Sequence, residues 1–267
     1  MKHILVMLVA LGVALISCDA HAARAWLLPS QTILANSGGW IAVDAAQADE
    51  LFSANQGPMN VDALMVTGPD GKPVAPQNTV KGRTRSSFDL ELRQAGTYRI
   101  SVADDAVMAR WEEDGKPKRW RGPAAEMSAN IPANAAKLEL EQVQRRVETF
   151  VSVGTPSALT TAGKGLELVP LRHPNDLYAG EAANFRFLLD GKPARNLEVK
   201  IIVGGTRYRD SPNEIVLKTD AKGEVSVEWP AAGLYWLDAG VQDESATVPN
   251  VKKRRASYNA TFEVLTQ

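Results

Sequence analysis

Most of the chain consists of short runs in which apolar and polar residues alternate or β-branched residues cluster, each ended by Gly, Pro or Asp. Sustained helical periodicity is scarce, and this patterning predicts an all-β protein. In the first half, strands are expected at residues 40–45, 61–67, 86–92 and 97–103. Phe88, Leu90 and Leu92 alternate with Asp89 and Glu91, as a sheet with one face in water requires. Gly68-Pro69-Asp70-Gly71 reads as a turn, because proline fixes one φ and glycine permits the positive φ that follows. Ala95-Gly96-Thr97 then turns the chain into the alternating run Tyr98-Arg99-Ile100-Ser101-Val102.

Residues 104–135 interrupt the alternation. They carry Glu112-Glu113-Asp114-Gly115 and Lys118-Arg119-Trp120-Arg121-Gly122, and residues 123–130 fit a short helix with Pro123 in its first turn. An insertion in a β domain is expected there. Trp111 and Trp120, flanked by charges, either cap a sandwich or form an aromatic contact surface; packing is the commoner role of large aromatics. Residues 138–153 return to an extended pattern. Thr155 to Gly165 has the Ser, Thr, Ala and Gly content of a linker. Strands then follow at 166–170, 182–189, 197–203, 214–218, 224–229, 233–239 and 257–264, with turns at Asp190-Gly191-Lys192-Pro193 and Asp220-Ala221-Lys222-Gly223. That spacing suits a small sandwich. The expected organisation is residues 23–155 as a first β-sandwich with insertion 104–135, a linker at 156–165, and residues 166–267 as a second.

Residues 1–22 precede this pattern. Lys2 and His3 follow the initiating methionine, Ile4 to Ile16 is an apolar run, and Ala20-His21-Ala22 is a small-x-small cleavage site. Together they predict a secretory signal peptide and a periplasmic protein, since the run is shorter than the roughly twenty residues a membrane-spanning helix needs. Leu15-Ile16-Ser17-Cys18 also fits a lipoprotein box, so membrane attachment is expected only if Cys18 is lipidated. Cys18 is the only cysteine; cleavage after Ala22 removes disulfides and thiolate chemistry together.

The charge balance narrows the partners. Formal net charge is -1, and losing the leader takes away one lysine and one aspartate, so no global field favours nucleic acid. Lys252-Lys253-Arg254-Arg255 is a local basic run and reads as a solvated loop. His173, in Arg172-His173-Pro174-Asn175-Asp176, is the histidine that remains after cleavage; a lone imidazole without neighbours is a poor metal site. Processing ahead of His21 would instead leave an N-terminal histidine able to chelate through amine and ring. No Gly-x-Ser-x-Gly elbow accompanies His173. The runs Asp104-Asp105, Glu112-Glu113-Asp114 and Asp243-Glu244 read as solvated loop charge or as oxygen ligands for calcium. Gly38-Gly39 and Gly204-Gly205 precede no predicted helix and so make no phosphate cradle. These residues predict no catalytic, cofactor-binding or metal residues, no cofactor, and no enzyme.

From Trp26-Leu27-Leu28-Pro29-Ser30 onward the chain resembles a family of exported bacterial proteins, a domain-of-unknown-function group labelled NikM-like, or nickel-uptake accessory. The likeness runs through Val43-Asp44-Ala45-Ala46, Asp49-Glu50-Leu51-Phe52, Val66-Thr67-Gly68-Pro69-Asp70-Gly71, Ala95-Gly96-Thr97-Tyr98, Pro117-Lys118-Arg119-Trp120-Arg121-Gly122 and Glu148-Thr149-Phe150. The second half is similar to carboxypeptidase-regulatory or prealbumin-like modules at Gly191-Lys192-Pro193-Ala194, Thr219-Asp220-Ala221-Lys222-Gly223 and Ala232-Gly233-Leu234-Tyr235. The resemblance implies two tandem β-sandwiches of immunoglobulin-like or prealbumin-like type behind a signal peptide. It also implies a non-enzymatic binding or accessory protein of a nickel-related envelope uptake system, with an envelope transporter or receptor as partner. The alternative is a structural or interaction module that docks on an envelope protein or glycan. Members of the family often carry a histidine three residues before the tryptophan and an Asp-His-x-Pro-like segment after Leu-Phe. This chain has Ala23 at the first place and Asn55-Gln56-Gly57-Pro58 at the second.

Overall fold

The computed structural model describes residues 24–267; the predicted leader, with Cys18 and His21, and Ala23 lie outside the described residues. The first half forms β1 (Arg24–Pro29), β2 (Ile33–Leu34), β3 (Gly39–Ala48), β4 (Gly57–Pro58), β5 (Leu64–Thr67), β6 (Gln77–Lys81) and β7 (Ser86–Leu92). It continues with β8 (Gly96–Glu113), β9 (Lys116–Gly122), the short helix α1 (Met127–Asn130) and β10 (Ala136–Val153). The second half forms β11 (Leu166–Pro170), β12 (Ala182–Leu189), β13 (Lys192–Pro193), β14 (Glu198–Val203), β15 (Ile215–Lys218), β16 (Glu224–Glu228), β17 (Gly233–Asp243) and β18 (Lys253–Val264).

Three sheets result. One runs β1-β3-β7-β6 with β4 on β3, and another runs β11-β12-β13 with β16 on β12. Between them lies a nine-stranded sheet, β15-β14-β17-β18-β10-β8-β5, with β2 on β10 and β9 on β8. The seam is the parallel pair β10 and β18, in register from Glu141 opposite Lys253 to Thr149 opposite Thr261. Because side chains alternate across a strand, β10 serves two cores. Val147 and Val151 join Ile41, Val43, Phe88, Leu90, Tyr98 and Ile100 in the first sandwich. Phe150, facing the other way, joins Phe185, Phe187, Trp229, Tyr235, Tyr258 and Phe262 in the second. The protein is thus all-β, two sandwiches sharing one long sheet.

Each sandwich repeats one local device. In Ala95-Gly96-Thr97-Tyr98 and Ala232-Gly233-Leu234-Tyr235 the glycine has a positive φ, 114° and 145°. The tyrosine hydroxyl then donates to the carbonyl four residues back, Tyr98 to Gln94 at 3.1 Å and Tyr235 to Ala231 at 2.8 Å. A buried phenol finds its partner this way without leaving the core, as in the tyrosine corner of β-sandwiches.

A third, smaller core joins the halves. Trp26, Ala46 and Leu51 from the first pack with Ile202 and Trp236 from the second. Trp26 meets Phe52 edge-on with ring centroids 5.9 Å apart, and the Trp236 indole donates to the Ala25 carbonyl at 2.9 Å.

The structure departs from the sequence expectation most at residues 104–113. The strand predicted to stop at Ala103 continues to Glu113; it pairs with β10 from Gly96 to Arg110 and, past a register shift, again at Glu112 opposite Ala136. Residues 104–135 therefore hold the far end of β8, the whole of β9, a 3₁₀ turn at Ala124–Glu126 and α1. Segment 156–165 has no regular element but is tied down: Arg99 donates to the Thr160 carbonyl at 2.5 Å, and the buried Glu167 carboxylate accepts from the Ala162 and Gly163 amides at 2.7 and 2.8 Å.

Candidate functional site

The arm made by the far ends of β8 and β10 with β9 is set by the turn at its tip. Asp114 and Gly115 have φ of 51° and 71°, the positive pair a two-residue type I′ hairpin needs. Counting outward from Glu113 opposite Lys116, the register sets Arg110 directly opposite Arg119, Ala109 opposite Trp120 and Met108 opposite Arg121. β9 pairs with β8 and with no other described strand, so its outer edge is open. Along one face, Asp104, Met108 and Arg110 of β8 stand with Arg119 and Arg121 of β9 and with Arg145 of β10.

The charges of this face are unevenly matched. Arg121 is paired with Asp104 and Glu112 meets Lys137 of β10 at 2.5 Å, while on the opposite face Glu113 meets Lys118 at 3.3 Å. Among the described residues, neither Arg110 nor Arg119 has a carboxylate at ion-pair distance; Arg110 reaches only the Met108 sulfur, at 3.4 Å. Like charges directly across a sheet repel. Arg145 has a buried Nε without a partner, and burial pulls its guanidinium below its ordinary range while Asp104 pulls the other way. Trp120 and Trp111 are half-buried on the opposite face. The arginine pair is legible from Asp114-Gly115 alone, but the dense charge on either side of that turn reads as loop.

His173 sits in a hydrogen-bond chain where the second half begins. Its Nδ1 accepts from the Asn175 amide at 3.0 Å, which leaves Nε2 to donate to Thr97 Oγ1 at 3.0 Å. Ser152 donates to Asn175 Oδ1 at 2.8 Å, so Thr97 donates to Ser152, 2.9 Å away. Thr97 and Ser157 exchange backbone-to-hydroxyl bonds, both at 2.9 Å. With both ring nitrogens engaged, the imidazole is a structural strut. Burial holds its pKa below the ordinary 6.5, against the raising effects of Ser157 and the Asp176 charge. The unfolded chain then binds this proton more readily, so the contribution is complete above pH 6.5 and falls away as pH drops through the lower, folded value. In urea unfolding at pH 7.5 and pH 5, wild type is expected to lose more stability on acidification than His173→Gln. His173→Ala should cost about 1–3 kcal/mol at the higher pH, the range for orphaned buried groups. An equal acid loss in wild type and His173→Gln would refute the assignment.

The other candidates resolve into structure. Lys252-Lys253-Arg254-Arg255 is not a solvated loop: β18 starts at Lys253, and alternation buries Arg254 to 3% exposure. There Arg254 binds Asp190 and both carboxylate oxygens of Asp243, on the wall of a 740 Å³ cleft whose rim includes Lys192, Arg195 and Lys218. Its guanidinium holds the Asp243 carboxyl below its ordinary range. Asp104 and Asp105 are strand residues rather than loop charge. Asp105 accepts from Gln142 at 2.8 Å and Gln144 at 3.1 Å and pairs with Lys164 at 3.0 Å. Gly39 opens β3, and Gly204-Gly205 precedes only a three-residue 3₁₀ turn. Among the described residues, no group of three or more His, Cys, Asp or Glu side chains is placed to hold a metal ion. Asn55-Gln56-Gly57-Pro58 leads into β4 on the edge of β3.

Shared sheet, twin cores and arm define an all-β tandem-sandwich protein. The chain belongs to the family described as Domain of unknown function (DUF4198), which matches residues 20–243. A comparison with curated proteins finds no match. Among solved structures, the D0-D1 domain of intimin is similar at 11% identity, with 88% of this chain and 96% of that one covered and a TM-score of 0.21. A DUF3823 family protein from Bacteroides uniformis shows 12% identity, 91% and 100% coverage and a TM-score of 0.26. The human OSCAR ligand-binding domain shows 14%, 89% and 98%, and 0.20. Likenesses this low carry no argument about fold or function.

Proposed function

We propose that the protein is an exported, non-catalytic binding or accessory component of a nickel-related envelope uptake system, working by contact between its arm and an envelope partner. The observation that supports the binding role is the arm itself. It offers an open strand edge carrying Lys116, Lys118, Arg119 and Arg121, beside the unmatched pair Arg110 and Arg119. Export rests on the leader pattern at residues 1–22, and the uptake role rests on the family resemblance.

Radiolabelled nickel uptake in a strain lacking this protein tests the reading. Uptake is expected to fall, to be restored by the wild-type gene, and to stay low with Arg110→Glu combined with Arg119→Glu. Unchanged uptake in the deletion strain would refute the nickel role. Because both nitrogens of His173 are already engaged, protein beginning at Ala23 is expected to bind nickel no tighter than about micromolar, about -8 kcal/mol. His173→Ala should leave that value unchanged. Tight stoichiometric binding in calorimetry, lost in His173→Ala, would contradict this.

A further inference from the structure

We infer that the open edge of β9 receives an acidic, extended segment of a partner protein, added antiparallel or parallel as one more strand of the nine-stranded sheet. The inference rests on the arm being the docking surface and specifies what docks there.

The hairpin register decides which backbone groups are available. A two-residue hairpin makes Glu113 and Lys116 a hydrogen-bonded pair, so in β9 Lys116, Lys118, Trp120 and Gly122 turn their peptide groups toward β8. Pro117, Arg119 and Arg121 turn theirs outward. Proline stands at the one outward position near the tip, where its missing N–H costs nothing to the sheet. That leaves an accepting and donating window at Arg119 and Arg121, long enough for a short added strand.

Charge selects the occupant. Residues 116–122 contain Lys116, Lys118, Arg119 and Arg121 and no acidic residue. A second copy of this chain pairing β9 with β9 would oppose basic residues to basic residues, which charged edges prevent. A strand with carboxylates at alternate positions would set them directly opposite Arg119 and Arg121, on the face where Arg110 has no ion pair. Its intervening residues would lie on the face of half-buried Trp120, so the matching sequence alternates acidic with apolar residues. Cross-strand ion pairs of this kind are the sheet's own stabilising unit.

The probe is a short fluorescein-labelled peptide of alternating glutamate and valine, followed by fluorescence anisotropy at low ionic strength with protein beginning at Ala23. Saturable binding is expected, at least tenfold weaker for Arg110→Glu with Arg119→Glu and for Arg119→Pro, which removes an outward N–H without adding negative charge. Far-ultraviolet circular dichroism and thermal unfolding establish that both variants are folded. The same peptide N-methylated at alternate residues should also bind at least tenfold more weakly. Absence of saturable binding to wild type overturns the proposal. So does equal binding of the N-methylated peptide, which would mean charge attraction without strand addition, or tighter binding of heparin than of the peptide, which would assign the arm to a polyanionic glycan. Lost nickel uptake in the deletion strain together with no peptide binding would remove strand addition and leave the uptake role standing.

Discussion

Trp26→Ala is expected to lower the stability of the protein by about 3–5 kcal/mol, the range for removing a buried tryptophan from a packed site. Trp26 is 1% exposed and stands at the centre of the small core that joins the two sandwiches. It meets Phe52 edge-on, and Phe52 holds a positive φ of 60°, an uncommon conformation for an aromatic residue that its packing must sustain. Across the joint, Trp236 donates to the Ala25 carbonyl and the Arg24 guanidinium lies 5.9 Å over the Trp236 ring. Losing the indole leaves a cavity whose walls belong to both halves. Neither half can close it without shifting the other. Denaturant unfolding measures the effect, and Trp26→Phe should recover a large share of it. A loss under about 1 kcal/mol in Trp26→Ala would mean that the joint contributes little and that the shared sheet alone holds the halves together.

Glu148→Leu is expected to destabilise the fold by a similar amount, about 3–5 kcal/mol, because it removes one partner from a buried charge cluster and strands the others. Glu148 is 1% exposed on β10. Its carboxylate accepts from Tyr258 Oη at 2.9 Å and from Arg146 Nη1 at 3.2 Å, with Arg99 Nε 3.9 Å away. Burial first, and the Glu148 charge next, push the Tyr258 phenol well above its ordinary range, so it stays protonated and donates. The cluster ties β8, β10 and β18 together at the seam. Glu148→Gln retains the shape and an acceptor for Tyr258 and should cost less than the leucine variant. Denaturation midpoints of the two variants that coincide would show that the charge is immaterial there, and a leucine variant as stable as wild type would show that the arginines find water instead.

The sequence determined what depends on neighbours along the chain. Strands β7, β11 and β12 fall where period-two alternation predicts them, because facing core or water is decided residue by residue. The turn at Asp190-Gly191, with φ of 50° and 74°, and the 3₁₀ turn and helix after Pro123 likewise follow from local backbone preference. The paired Ala-Gly-x-Tyr segments are a further local signal, one device written into each half.

Only tertiary structure decided the rest. The parallel pairing of β10 with β18 joins residues more than a hundred positions apart, and no local period specifies such a partner. That pairing is why β10 divides its faces between two cores, and why Glu148, a polar residue in an apolar run, is buried with Tyr258. The same holds for Arg254, whose place in a basic run suggests solvent until Asp190 and Asp243 are brought to it. β8 was hidden beyond Ala103 for the converse reason. The arm lies outside both core clusters, with only Ala106, Val107 and Ala109 of β8 buried along it. Asp104, Asp105, Arg110 and Glu112 therefore break the apolar alternation although backbone pairing goes on, with β10 to Arg110 and past a register shift at Glu112, and with β9 to Glu113. Alternation reports burial, and backbone hydrogen bonds need none; where a sheet outruns its core, residue pattern and strand part company.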